Sequence, residues 1–171
     1  RQLLESASVI GGVFSSEVLS RVSEVKKLDL LKMLNEIEKT HRLIVSMQKR
    51  YAFSHVKIRE VLYQDLSEEL RREYHRIVGD TLKELHGDSE DVVADMGYHY
   101  YMAGDAGSAV PNLLRAVEVA GSKYSNDEAI RYCMYALELM TGEEWRAERL
   151  RTLERLGDIQ NLSASYDEEL K

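Results

Sequence analysis

Proline, cysteine and glycine are scarce in this chain of 171 residues. Pro111 is the one proline, so long stretches are free to form helices, because proline and glycine weaken a helix interior more than any other residue. Cys133 is the one cysteine, which excludes an intramolecular disulfide. Its apolar helical neighbours predict a buried structural thiol and not a nucleophile. With no sign of an oxidising compartment, we expect a cytoplasmic protein.

Long hydrophobic runs and catalytic patterns are missing too. No apolar run approaches the roughly 18 residues that a membrane helix needs, so we expect no contact with a membrane. No pair of carboxylates stands out as acid and base, and no Ser-His-Asp order has supporting context. Among His41, His55, His75 and His99, no pair has the i, i+4 spacing of a metal site. We therefore predict that this chain is not an enzyme and binds no metal.

Charge divides the chain in two. The formal net charge is −7; residues 1–87 carry 15 Lys and Arg against 13 Asp and Glu, and residues 88–171 carry 8 against 17. Nucleic-acid affinity depends on neutralising phosphates, so the second half is unsuited to it, whereas the first half leaves the question open. Gly87 suits a helix end and Asp88 or Ser89 the next N-cap. These features predict two domains, 1–87 and 88–171.

The pattern of the first half changes period twice. Apolar residues at helical spacing predict helices over about 2–10, after Ser15 or Ser16, and over about 28–39. The alternation of Leu43, Val45 and Met47, then of Tyr51 and Phe53, predicts a β-hairpin whose turn is Gln48-Lys49-Arg50. Helical spacing returns over about 55–66 and from Ser67 to about 86. Three helices, a hairpin and further helix form the order of a winged helix.

The second half is predicted to be helical over about 90–103 and 106–122, then from after Ser125-Asn126 to Thr141-Gly142, and over about 143–162. Within the first two helices, Met96-Gly97-x-x-Tyr100-x-x-x-Gly104-x-x-x-x-Ala109 followed by Ala116 resembles a tetratricopeptide (TPR) repeat. Leu156-Gly157-Asp158-Ile159 with Tyr166-Asp167-Glu168 resembles the start of another. Between them, Ala129 and Ala136 repeat the second-helix pattern too early. We therefore expect degenerate TPR-like helical hairpins after the winged helix, in a mainly α protein.

The first half also resembles a known family. Leu3-Leu4-Glu5-x-Ala7-x-Val9-Ile10-Gly11-x-x-Phe14, then Tyr51-x-Phe53-x-His55, Arg59-Glu60-x-x-Tyr63 and Arg72-x-x-His75, resemble the winged-helix region of STAND-type signalling ATPases. The resemblance implies a regulatory and protein-interaction module of a larger ATPase, with ATP or ADP bound upstream, because no GxxxxGK[ST] motif occurs here. It also implies that His55 could contact the phosphates of the nucleotide. The alternative for His55 is a helix cap.

Partner binding would fall to the repeats. Tyr98, Tyr101 and Arg131 are the candidates, because aromatic and Arg side chains are enriched among binding hot spots. The alternatives are that these tyrosines pack helical hairpins, or that their face packs against the rest of the same protein. A different function is also open: a DNA-binding winged-helix transcription regulator with a helical assembly domain. It would use the basic residues at and after the hairpin, which are Lys49, Arg50, Lys57 and Arg59.

Overall fold

The computed structural model describes the backbone of residues 1–169 and the side chains of residues 1–162. The chain forms two compact units, Arg1–Leu85 and His86–Lys171. Helices dominate both, and a small antiparallel sheet belongs to the first. The predicted fold class, mainly α with a short β-hairpin in a winged-helix unit followed by helical hairpins, is confirmed.

The first unit has the element order of a winged helix: a helix, a short strand and two further helices come first, and a hairpin then leads into two more helices. The elements are α1 Gln2–Ile10, β1 Val13–Ser15, α2 Ser16–Val22, α3 Lys27–Glu36, a π-helical turn Ile37–His41, β2 Ile44–Met47, β3 Arg50–Phe53, α4 Val56–Gln64 and α5 Glu68–His86. The hairpin turn is shorter than predicted, because Arg50 already belongs to β3 and only Gln48 and Lys49 lie between the strands.

Strand β1 was not predicted. It pairs antiparallel with β3, placing Val13 opposite Ala52 and Ser15 opposite Arg50, so the sheet has the order β1-β3-β2. Three residues are too few to show an alternating pattern, and the strand exists only through pairing with a partner far along the chain. The same Ser15 then caps α2, since its hydroxyl accepts a hydrogen bond from the Val18 amide at 3.1 Å.

The sheet presents one face to the core and the other to solvent. Ile44 and Phe53 face inward, while Val45 and Met47 are exposed, so the alternation seen in the sequence marks the outer face of β2. The inner face packs on α1, α2 and α3. The buried core consists of Leu3, Leu4, Ala7, Phe14, Leu19, Leu30, Leu34, Ile44 and Phe53.

Helix α3 ends earlier than the predicted residue 39. After Glu36 the chain widens into the π-helical turn, and Arg42 then adopts a left-handed conformation with φ of 53°. The Glu38 carboxylate accepts a hydrogen bond from the Ser46 amide at 2.6 Å, which ties this turn to β2 and lowers the pKa of Glu38. The turn thus fixes where the hairpin begins.

The second unit contains α6 Glu90–Ala103, α7 Ala106–Ser122, α8 Asn126–Leu139, a 3₁₀ turn Glu143–Trp145 and α9 Arg146–Glu169. Ser89 and Asp105 cap α6 and α7 by accepting from the Asp91 and Ser108 amides. Pro111 lies in the second turn of α7, one turn further in than its lack of an N–H would favour.

Small side chains line the helix contacts of this unit. Gly97 of α6 faces Leu113 of α7 so closely that an added Cβ would lie 3.0 Å from Leu113 Cδ2. The other small residues at these contacts are fully or almost fully buried: Ala109, Ala116, Ala120, Ala129, Cys133 and Ala136. Helix α7 packs against both α6 and α8, and α8 packs against α9. The helices therefore form successive TPR-like hairpins.

The end of the chain differs from its predicted form. Helix α9 continues to Glu169 instead of ending at about 162. The repeat start predicted at Leu156–Ile159 lies within this helix, and the side chains of Tyr166, Asp167 and Glu168 lie outside the described residues. In the part of the chain that the structure describes, every helix is too short or too polar to span a lipid bilayer.

Candidate functional site

Helices α6 and α8 together carry a cluster of aromatic side chains. Tyr98 and Tyr101 are three residues apart on α6, and Tyr135 and Glu138 are three residues apart on α8, so each pair shares one helix face. The two helices contact each other as well as α7. All three tyrosines are half-buried and Glu138 is exposed. We call Tyr98, Tyr101, Tyr135 and Glu138 the tyrosine face.

The Tyr135 ring contacts the other two rings of the tyrosine face. Tyr101 and Tyr135 are stacked, with centroids 4.4 Å apart and planes inclined by 20°. Tyr98 and Tyr135 have centroids 6.2 Å apart and planes inclined by 48°. Contacts of this kind stabilise beyond simple burial, by about 0.5 to 1.5 kcal/mol each. The rings therefore form a preorganised aromatic surface.

A carboxylate borders this surface. The Tyr101 hydroxyl donates a hydrogen bond to the Glu138 carboxylate. That bond, together with partial burial and the negative charge of Glu138, raises the pKa of Tyr101 to about 12. The phenol therefore stays neutral and its ring keeps the electron-rich face of an un-ionised tyrosine.

Negative charge is concentrated on the two helices that form the tyrosine face. Helix α6 contains no Lys or Arg, and α8 contains only Arg131. Against that single guanidinium stand the carboxylates of Glu90, Asp91, Asp95, Asp127, Glu128 and Glu138.

Arg131, predicted as a third member of the partner face, lies one turn before Tyr135 on α8 and contacts other residues of that helix. Its guanidinium lies 3.7 Å from the Glu128 carboxylate and 5.6 Å from the centroid of the Tyr132 ring. The structure thus brings Tyr98 and Tyr101 each into contact with Tyr135, while the contacts of the Arg131 side chain are with Glu128 and Tyr132.

His55 lies at the junction of the hairpin and α4. It occupies the N-cap position of α4 with an extended backbone, its side chain is exposed, and it makes no capping hydrogen bond. The backbone holds it there, because the Ser54 amide donates to the Leu43 carbonyl and the Ile58 amide donates to the His55 carbonyl. The backbone of His55 is therefore fixed at this junction, and its imidazole is exposed.

A second histidine, His75 of α5, is buried. Its Nε2 is 3.0 Å from the Tyr63 hydroxyl, and the guanidiniums of Arg59 and Arg71 lie 6.0 and 5.3 Å from the centroid of the Tyr63 ring. Burial, followed by repulsion from Arg59 and Arg71, lowers the pKa of His75 to about 4. His75 is therefore neutral near pH 7. Arg59, Tyr63 and His75, which were among the residues quoted for the resemblance, form one packed group.

The solvent face of α3 has no excess of positive charge. Lys27 and Lys32 are balanced by Asp29 and Glu36, and Lys32 pairs with Asp29 at 3.5 Å. Apolar side chains occupy much of the rest, with Leu28 66% and Met33 42% exposed. This face offers little to a phosphate backbone.

Metal and nucleophile sites do not emerge from the described residues. Within residues 1–162, no group of three or more His, Cys, Asp or Glu side chains is arranged to hold a metal ion. The Cys133 thiol is buried as predicted, and burial raises its pKa, which disfavours the reactive thiolate.

Comparison of the chain with protein-family models, with curated proteins and with solved structures gives no match in any of the three.

Tyr135 and Glu138 were not predicted as part of a site. The Tyr101 and Glu138 side chains that bond to each other are 37 residues apart in sequence, so their proximity follows from the helix packing. The available signal was the i, i+3 spacing of an aromatic and a carboxylate on α8, which matches the spacing of Tyr98 and Tyr101 on α6.

Proposed function

We propose that this chain is a non-catalytic regulatory and protein-interaction module of a larger cytoplasmic signalling ATPase, in which the second unit binds a polypeptide partner. The tyrosine face is the observation that carries the proposal. Tyrosine supplies large contact area at low conformational-entropy cost and is enriched among binding hot spots. Stacked helical hairpins also create the extended surfaces that repeat proteins use for binding.

A capture experiment tests the interaction. The immobilised chain is offered candidate partner segments, including the remainder of its own parent protein, and retention is compared with that of Tyr101→Ala and Tyr135→Ala variants. Loss of a hot-spot aromatic is expected to weaken retention at least about tenfold, which corresponds to about 1.4 kcal/mol.

Tyr124→Ala is the matched control. Tyr124 belongs to the same unit but lies in the turn between α7 and α8, 87% exposed and outside the tyrosine face. Its loss should leave retention unchanged. Equal retention by all three variants would remove the tyrosine face from the proposal.

The first unit is proposed to relay the nucleotide state of an upstream ATPase through His55. The support is the resemblance to STAND-type ATPases together with an accessible imidazole at the N-cap of α4. In the parent protein, His55→Ala is expected to abolish the difference between its ADP-bound and ATP-bound behaviour. His41→Ala changes an exposed histidine of the same unit and should leave that difference intact.

DNA binding is less well supported. The charge-balanced and partly apolar face of α3 fits contact with protein better than contact with phosphates, which requires net positive charge. Titration of the chain with duplex DNA at low salt is expected to show no saturable binding. Salt-sensitive, saturable binding that is lost in Lys49→Ala and Arg50→Ala variants would favour the transcription regulator instead.

A further inference from the structure

Within the part of the chain described with side chains, the stacked rings of Tyr101 and Tyr135 differ from two other tyrosine rings in their relation to cations. Tyr63 has guanidiniums of Arg59 and Arg71 near its ring, and Tyr132 has that of Arg131. Among the residues described with side chains, neither Tyr101 nor Tyr135 is covered in this way by a Lys or Arg of the chain itself. The stacked pair is thus an electron-rich aromatic surface without an internal cationic partner.

The surrounding charge has the sign that attracts a cation. Glu138 adjoins the ring pair through the Tyr101 hydroxyl, and α6 carries Glu90, Asp91 and Asp95 in its earlier turns with no basic residue. The second half of the chain has a net charge of −9, counting 8 Lys and Arg against 17 Asp and Glu over residues 88–171. A net negative charge of this size steers a positive partner towards the second unit and opposes a negative one, while Glu138 is the carboxylate that contacts the face itself.

We propose that the tyrosine face docks a cationic polypeptide segment, with an Arg or Lys side chain over the Tyr101–Tyr135 pair and its charge opposite Glu138. This inference rests on the proposed partner-binding function and specifies the chemistry of the partner. A guanidinium over a tyrosine ring contributes through the ring quadrupole, and the adjacent carboxylate adds a charge-assisted hydrogen bond. Arginine suits both contacts better than lysine, because its planar group stacks and bonds at the same time.

The probe is a synthetic peptide of three arginines separated by Gly-Ser, compared with peptides of the same length carrying glutamine or glutamate in place of arginine. Binding to the full chain is followed by NMR through the ring resonances of Tyr98, Tyr101 and Tyr135 at physiological salt. The arginine peptide is expected to shift these resonances saturably, and the glutamine and glutamate peptides are expected not to.

Two glutamate variants separate a specific contact from general attraction to an acidic protein. Glu138→Gln removes one charge at the tyrosine face while keeping an oxygen that can accept from the Tyr101 hydroxyl. Glu128→Gln removes one charge from the same helix, at the group formed with Arg131. Affinity for the arginine peptide is expected to fall about tenfold in the first variant and less than about twofold in the second.

Tyr135→Leu completes the test, because leucine keeps apolar bulk and removes the aromatic ring. This variant is expected to bind the arginine peptide about threefold to thirtyfold more weakly, as the loss of a cation–π contact predicts. Equal losses in the two glutamate variants, or full affinity in Tyr135→Leu, would overturn the inference. The inference would also be overturned if the arginine peptide did not bind while a partner captured by the chain was still lost in Tyr101→Ala. In that case the proposed partner-binding function would stand, and only the cationic chemistry of the partner would be wrong.

Discussion

The two units differ in the side chains at their closest internal contacts. The first unit uses large residues around a small sheet, with Phe14 in contact with Phe53 at 5.5 Å between ring centroids and Leu19, Leu30 and Leu34 fully buried. The second unit brings helices together over small residues such as Gly97, with Leu113 filling the remaining space. A core of large side chains is sensitive to deletions, whereas close helix contacts are sensitive to additions.

Deleting a large side chain from the first core should have the largest effect. Phe14→Ala is expected to lower the free energy of unfolding of the first unit by about 3 to 5 kcal/mol, because it leaves a cavity beside Phe53 and Tyr51. Native-state hydrogen exchange should show weaker protection of amides in α1, α2 and α3. Equal loss of protection in α6, α7 and α8 would show that the units unfold together and would break the comparison.

Acid should destabilise the first unit through His75. The pKa of His75 is about 4 when folded, against 6.5 for an unperturbed histidine, so the unfolded state binds more protons between these values and is favoured as the pH falls. The stabilisation from a neutral buried His75 is complete above pH 6.5 and is lost towards pH 4. The loss is expected to reach about 3 kcal/mol at the acid end of this window.

Urea denaturation followed through the ring resonances of Phe14 and Phe53 measures this dependence. His75→Gln, which cannot titrate, should flatten the profile in that window. His41→Gln, at an exposed position, should keep the wild-type slope. An unchanged profile in His75→Gln would assign the acid sensitivity to other groups.

Adding a methyl group to the second core should have an intermediate effect. The Cβ of Gly97→Ala would lie 3.0 Å from Leu113 Cδ2 and 3.1 Å from the Leu113 amide nitrogen, so α6 and α7 must move apart. We expect a net loss of about 1 to 2 kcal/mol despite the gain in helix propensity. Gly121→Ala in α7 meets nothing within 4 Å and should instead stabilise by about 0.5 to 1 kcal/mol. Thermal denaturation should therefore show a lower melting temperature for Gly97→Ala and a higher one for Gly121→Ala.

Removing helix caps should have the smallest effect and should be similar in the two units. Ser15 and Asp105 each accept a hydrogen bond of 3.1 Å from a backbone amide, of Val18 and Ser108 respectively. Replacing either residue by Ala is expected to lower the free energy of unfolding by about 1 kcal/mol. Hydrogen exchange should show that the loss of protection is limited to the unit that carries the substitution. Ser125 holds the same position before α8 without such a bond, so Ser125→Ala should cost clearly less.

Local patterns predicted much of the fold and less of the site. Helical spacing located α1, α6 and α7 closely, and Met96, Gly97 and Tyr100, which the repeat pattern indicated, are buried on α6, whereas the burial of His99 was not predicted. Strand β1 and the second half of the tyrosine face were not predicted. Each exists through a partner far along the chain, β3 for Val13 and α6 for Tyr135, and spacing within a segment carries no information about such partners.

His75 illustrates the same limit for electrostatics. Its position on α5 follows from periodicity, but its burial and its lowered pKa depend on Arg59 and Tyr63 of α4 and on Arg71 of its own helix. A sequence gives the type of each titratable group, but how far that group is buried, and hence its pKa, depends on the packing. His55 shows the opposite case, since a residue expected either to cap a helix or to remain available lies at the cap position without making the bond.

Because Cys133 is buried, its reaction with a thiol reagent reports when the helices of the second unit open. The thiol is completely enclosed in a cluster with Val117, Ala120 and Ala129. A thiol-specific reagent can reach it only when α7, α8 and α9 separate. Because the chain has no other cysteine, the rate of alkylation gives the frequency with which this repeat stack opens, with no contribution from the winged helix.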